Sequence, residues 1–128
     1  MVGDKISNLI ISLKNASSTS KDSVVVLKTK LNLAILETLK RNDFIESFED
    51  KGQKSLNVFL KYDKTGNPAI TDVKRISKLS KRIYKNYKEI NPVRNGYGIS
   101  VITTPLGVFS DKEAREKKVG GEVMFQIW

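Results

Sequence analysis

"GISVITTPLGVFSDKEAREK", residues 98–117, changes period in its middle, and that change decides the fold. Ile99, Val101 and Ile102, interrupted only by Ser100, predict a strand entered from Gly98. Ser110 and Asp111 are cap candidates ahead of Lys112-Glu113-Ala114-Arg115, which predicts a helix near 111–118. Between them lie Thr103, Thr104, Pro105 and Gly107: paired hydroxyls, a residue that stops a strand and one that permits a turn. A short strand around Val108-Phe109 bridges loop and helix.

Outward from this stretch the same mixture continues. Downstream, "GEVMFQIW" predicts a last strand, and upstream "NPVRNGYG" (91–98) is turn chemistry. Residues 82–88 predict a strand with Arg82, Tyr84, Asn86 and Lys88 on one face. From about residue 77 the order is therefore β-β-β-α-β. Further upstream, Ile6, Leu9, Ile10, Leu13 and Ala16 recur at helical spacing over 4–17, with Asp4 as N-cap. "KDSVVVLK" (21–28) predicts a strand, and Leu31, Ala34, Ile35 and Leu39 a helix over 29–41. "FIESF" (44–48) begins a strand, "SLNVFLKY" (55–62) alternates, "DKTGNP" (63–68) turns, and "AITDVKRI" (69–76) returns as the third strand of a meander. The expectation is an α+β protein of two small α/β domains. Residues 1–76 are α-β-α-β-β-β, and residues 77–128 are β-β-β-α-β.

Composition narrows the function. The chain has no Cys and no His, so thiolate metal sites, disulfides and the commonest general base are all missing. Its acids form no two-metal pattern, and no oxyanion loop surrounds Ser77-Lys78 or Ser80-Lys81, so no enzyme, catalytic residue, metal site or cofactor is expected. Against 14 acidic residues stand 23 basic ones, a net charge of +9, which points to a polyanion. Residues 77–128 carry +5 of that charge on the shorter segment. No apolar run is long enough to cross a bilayer, and "MVGDKISNLI" lacks a secretory pattern, so neither membrane nor secretory signal is expected.

Residues 74–94 hold Lys74, Arg75, Lys78, Lys81, Arg82, Lys85, Lys88 and Arg94 against Glu89 alone. Tyr84 and Tyr87 lie within this run and Tyr97 just beyond it; aromatic faces stack on unpaired bases while cations hold phosphates. Nucleic-acid contact outweighs a merely solvated face. Thr103 and Thr104 can donate and accept, and so can reach a base edge, a phosphate or a 2′-hydroxyl. On the residues alone, a structural role at a strand end outweighs that one. Glu122, at the head of the last strand, can cap a turn, receive a Lys or accept from a base, and on the residues alone a structural role outweighs the last.

Read end to end, the chain resembles the small-subunit ribosomal protein eight family of bacterial and organellar type. "NGYGISVITTPLGVFSDKEAREKKVGGEVMFQIW" follows the family's order of turn, strand, hydroxyl loop, helix and Gly-Gly-Glu strand. "DKISNLIISLKNAS", "LKTKLNLAILETLKRNDFIESFE" and "RISKLSKRIY" match the family's earlier segments in order. The resemblance implies a structural constituent of the ribosomal small subunit, with its C-terminal domain on the central domain of the ribosomal RNA. It implies RNA contacts at Thr103, Thr104, Pro105, Gly107, Glu122 and Tyr84, with Lys78, Lys81, Arg82 and Lys85 beside them. On the N-terminal domain it implies Lys14, Asn15, Lys28 and Lys30. The implied neighbours are small-subunit proteins five and twelve, in the ribosome of a plastid or a bacterium. The alternative is a free-standing RNA-binding or RNA-chaperone module. Two departures stand out: the family's third hydroxyl and following basic residue are Pro105 and Leu106, and its Pro-Gly is Leu79-Ser80.

Overall fold

The computed structural model describes residues 5–78 and 80–128. Asp4 and Leu79, an expected N-cap and half of the altered dipeptide, lie outside the described residues. Among the described residues, three α-helices and two antiparallel sheets make an α+β protein of two compact units, divided between Asp72 and Val73.

The first unit runs α1 (Lys5–Ser18), β1 (Ser23–Leu27), α2 (Lys30–Arg41), β2 (Ile45–Gly52) and β3 (Ser55–Leu60), with sheet order β1-β3-β2. Leu9, Ile10, Leu13 and Ala16 are the buried apolar stripe of α1 that their spacing predicts. Thr29 caps α2 by accepting a hydrogen bond from Asn32 N at 3.0 Å. Ile35, Leu36 and Leu39 are fully buried, as are Leu56 and Val58 of β3. The β2–β3 hairpin turns through Gln53 and Lys54, both at positive φ, and the Asp50 carboxylate braces it by accepting from Gly52 N at 2.8 Å.

The second unit runs β4 (Val73–Arg75), β5 (Tyr84–Lys85), β6 (Ile99–Thr104), β7 (Gly107–Ser110), α3 (Asp111–Lys117) and β8 (Gly121–Ile127). Its sheet order is β4-β8-β6-β7, with β5 also on β8. The predicted third meander strand over 69–76 is corrected here. Only Val73–Arg75 is extended, and it pairs with Phe125–Ile127 of β8 rather than with β3. The chain accordingly divides at 72/73, and the second unit gains a strand at its start.

The predicted strand over 82–88 is also cut to two residues. Asn86 Oδ1 accepts from the backbone N–H groups of Lys88 and Glu89, and this local turn competes with the ladder. Between β4 and β5 the chain loops outward and returns to β8. Ser77, almost fully buried, closes the neck of that loop: its hydroxyl accepts from Ile83 N at 2.8 Å and donates to Ile83 O at 3.2 Å. α3 starts as the sequence predicts. Ser110 Oγ accepts from Glu113 N, and Glu113 Oε1 accepts from Ser110 N at 2.8 Å, a reciprocal capping box. Buried Asp111 accepts from Ser100 N and Arg115, tying the first turn of α3 to β6. Ile90, Ile102, Ala114 and Val123 form the core on this side of the sheet.

Candidate nucleic-acid interface

β8 carries the site because it lies between β5 and β6. Glu122 is directly opposite Tyr84 on one side and Thr103 on the other. Directly opposed residues share a face, so tyrosine, carboxylate and hydroxyl stand in one row across three strands. Two glycines make this approach possible. A Cβ on Gly121 would lie 2.0 Å from Thr103 O, and one on Gly120 would lie 2.4 Å from Lys85 O.

The row lines an open groove of about 660 Å³, together with Lys85, Asn86, Glu89, Thr104, Pro105, Gly120 and Gly121. Tyr84 is 67% exposed, so its ring face is available to a partner. Arg82 Nη1 reaches both oxygens of Glu122, at 3.3 and 3.2 Å, and holds the carboxylate at the groove wall. The two threonines have different surroundings. Thr104 is buried, and its hydroxyl works inside the hairpin, donating to Gly107 O at 2.8 Å and accepting from Leu106 N at 3.1 Å. It fixes the Pro105-Leu106 tip, where Gly107 adopts a φ of +137° that glycine alone takes readily. Thr103 is half-buried and donates only to the Met124 thioether, a weak acceptor.

The structure thus brings Tyr84, Lys85, Thr103, Thr104, Pro105 and Glu122 to one groove, with Arg82 against it and Gly107 behind the tip. Lys78 and Lys81 flank the outward loop and line a different cavity that Lys85 also borders. The remaining four candidates belong to the first unit. Lys14 pairs with Asp72 at 3.0 Å, and Lys28 pairs with Asp50, whose carboxyl this contact and the Gly52 N–H hold below its ordinary value. Asn15 and Lys30 are exposed. Sequence reasoning missed Asn86, Glu89, Gly120 and Gly121 as groove residues. The signal for Gly120 was the Gly-Gly pair itself, since two adjacent glycines at a strand head mark a close backbone approach. Among the described residues no cluster of three or more metal-ligating side chains occurs, and no helix is long and apolar enough to cross a membrane.

A small α+β chain of net charge +9 thus presents a tyrosine, a threonine and an arginine-braced carboxylate in one open groove, beside Lys85. The family model described as Ribosomal protein S8 matches residues 4–128. The chain is 41% identical to small ribosomal subunit protein uS8c of Tupiella akineta, with both chains covered in full. It is 40% identical to uS8 of Nautilia profundicola, again over the whole of both, and 39% identical to uS8 of Syntrophus aciditrophicus over 98% of this chain and 97% of that one. Bacterial and chloroplast forms both occur among these relatives. The chain belongs to the ribosomal protein S8 family, whose members are structural, non-enzymatic proteins of the small ribosomal subunit.

Proposed function

We propose that this chain is a structural constituent of the small ribosomal subunit, binding the central domain of its RNA directly and supporting the assembly and stability of that domain. The observation that carries the proposal is the row Tyr84–Glu122–Thr103 lining an open groove. Tyr84 stacks on an unpaired base, a contact of about 1–3 kcal/mol. Thr103 exchanges its thioether contact for an RNA acceptor, and Glu122 accepts from a base amino or 2′-hydroxyl group. Thr104, Pro105 and Gly107 keep the hairpin tip in one shape, so that little conformational entropy is lost on binding. Lys85 and Arg82 supply charge to the phosphates, as do Lys78 and Lys81 beyond the groove. Lys14, Asn15, Lys28 and Lys30 make further contacts from the first unit. Small-subunit proteins five and twelve are the proposed neighbours, in the ribosome of a plastid or a bacterium.

The test is binding to a short RNA hairpin with an irregular, partly unpaired core, beside a fully paired hairpin of equal length. Preference for the irregular hairpin that survives physiological salt and weakens in a Thr103→Ala, Thr104→Ala double variant supports the reading. Equal binding to both RNAs that disappears with salt overturns site-specific recognition. Co-sedimentation with small subunits, followed by crosslinking to proteins five and twelve, tests the assembly and its neighbours.

A further inference from the structure

The second cavity, of about 490 Å³, lies within the second unit and differs in character from the hydroxyl groove. Lys74, Arg75, Lys78, Lys81 and Lys85 line it, and no carboxylate does. The four lysines are exposed and have no acidic partner among the described residues. Beneath them the lining is apolar: Ile90, Ile102 and Val123 are buried, and Ile83 is half-buried. Ser100 and Gln126 also line the cavity, and their side-chain groups have no hydrogen-bond partner among the described residues.

A cavity with this lining calls for a ligand of two parts. Gathering cations without carboxylates is unfavourable unless an anion neutralises them, so the rim requires negative charge. The floor has no use for a phosphate; it favours an apolar face whose edge carries hydrogen-bonding groups for Ser100 and Gln126. An unpaired nucleotide joins both on one compact unit, with a base that buries its face and flanking phosphates that stay at the surface. The volume lies within the ordinary range for such ligands, roughly 300–1,000 Å³. An acidic peptide would satisfy the rim, but its carboxylates sit on flexible stems and bring no planar group to the floor.

We infer that this cavity takes one unpaired nucleotide from an RNA segment other than the hairpin held in the groove, its base on the isoleucine floor and its phosphates on Lys74, Lys78 and Lys81. The inference rests on the RNA-binding reading above and adds to it a second, separate contact point. Methyl NMR on the full-length chain, labelled at isoleucine and already saturated with the irregular hairpin, tests it, with heptauridylate as the added probe. The expected result is movement of the Ile83 and Ile102 methyl signals without release of the hairpin. Lys74→Glu then weakens heptauridylate binding about tenfold, the loss of one charged contact, and leaves hairpin affinity within about threefold. If heptauridylate displaces the hairpin and leaves those methyls unmoved, the cavity is not a nucleotide site, although the RNA-binding reading stands. If a glutamate-rich heptapeptide moves the same methyls at lower concentration than heptauridylate, the cavity belongs to a protein partner and the inference falls. If neither RNA binds at all, both the inference and the function on which it rests are overturned.

Discussion

Replacing Gly121 with alanine tests the packing on which the proposed RNA-binding row depends. The new Cβ would stand 2.0 Å from Thr103 O, a backbone atom that cannot rotate aside. Contacting heavy atoms need about 3.5 Å, so β6 and β8 must part by about 1.5 Å near this point. A backbone hydrogen bond stretched that far beyond its usual length of about 2.9 Å is no longer one. Two ladder bonds flanking Glu122 and Thr103 contribute roughly 1 kcal/mol each, and forced overpacking costs about 1–3 kcal/mol more. The expected loss is therefore about 3–5 kcal/mol, a large part of the roughly 5–15 kcal/mol that stabilises a domain. At about 4 °C per kcal/mol for a chain of this size, the melting temperature should fall by roughly 10–20 °C. Amide exchange should accelerate most at Ile102 and Thr103, and the irregular hairpin should lose its advantage over the paired control. Gly66→Ala is the control: nothing lies within 4 Å of its Cβ, so only the strain of its φ of +89° is added, about 1 kcal/mol. If Gly121→Ala melts within about 2 °C of the unchanged protein and keeps its hairpin preference, the close approach of β6 and β8 does not control the site.

Other perturbations separate the roles of single side chains. Thr104→Val keeps the shape but leaves Leu106 N–H and Gly107 C=O without their partner; chemical denaturation should show about 1–3 kcal/mol lost, and the loop amides should exchange faster. Ser110→Ala removes the α3 capping box, which should lower stability by about 1 kcal/mol without altering the hairpin's salt dependence. Arg82→Gln releases the Glu122 carboxylate. Because Arg82 is half exposed, stability should change by less than about 1 kcal/mol, while irregular-hairpin affinity, read by fluorescence anisotropy, should drop severalfold. Asp63 is held below its ordinary value of 3.8 first by the Thr65 hydroxyl and then by the Asn67 N–H. Its contribution is thus present above that value and lost as pH falls through the lower folded value, so the urea midpoints of the unchanged protein and Asp63→Asn should converge in acid.

What was legible in the sequence was what short-range physics determines. The 3.6-residue spacing of Leu9, Leu13 and Ala16 and the Ser110–Glu113 box specify α1 and α3 by themselves, and the structure agrees. Val73–Arg75 was misassigned because an extended tripeptide carries no mark of its partner. The choice between β3 and β8 is made by which ladder is complete at that register, a long-range property. Residues 82–88 failed differently: alternation is present, but the Asn86 side chain offers the backbone a local alternative. The candidate site divides along the same line. Tyr84, Thr103 and Glu122 could be named from residue type and resemblance, whereas their alignment required knowing that β8 lies between β5 and β6. The two threonines look equivalent as letters, yet burial commits the Thr104 hydroxyl to the hairpin.

The position of β8 also governs the order in which the protein can be made. Every strand of the first sheet finds its partner within residues 23–60, so that unit can close while synthesis continues. In the second unit β4, β5 and β6 are all made before the strand that joins them, and Val73 waits for Ile127. Until Gly121–Ile127 has left the exit tunnel, Tyr84 and Thr103 have no Glu122 between them and the groove does not exist. A nascent chain therefore carries most of its positive charge before it carries the proposed recognition groove. On the proposed function, RNA binding should be indiscriminate until those last strand residues are free to pair, and selective from then on.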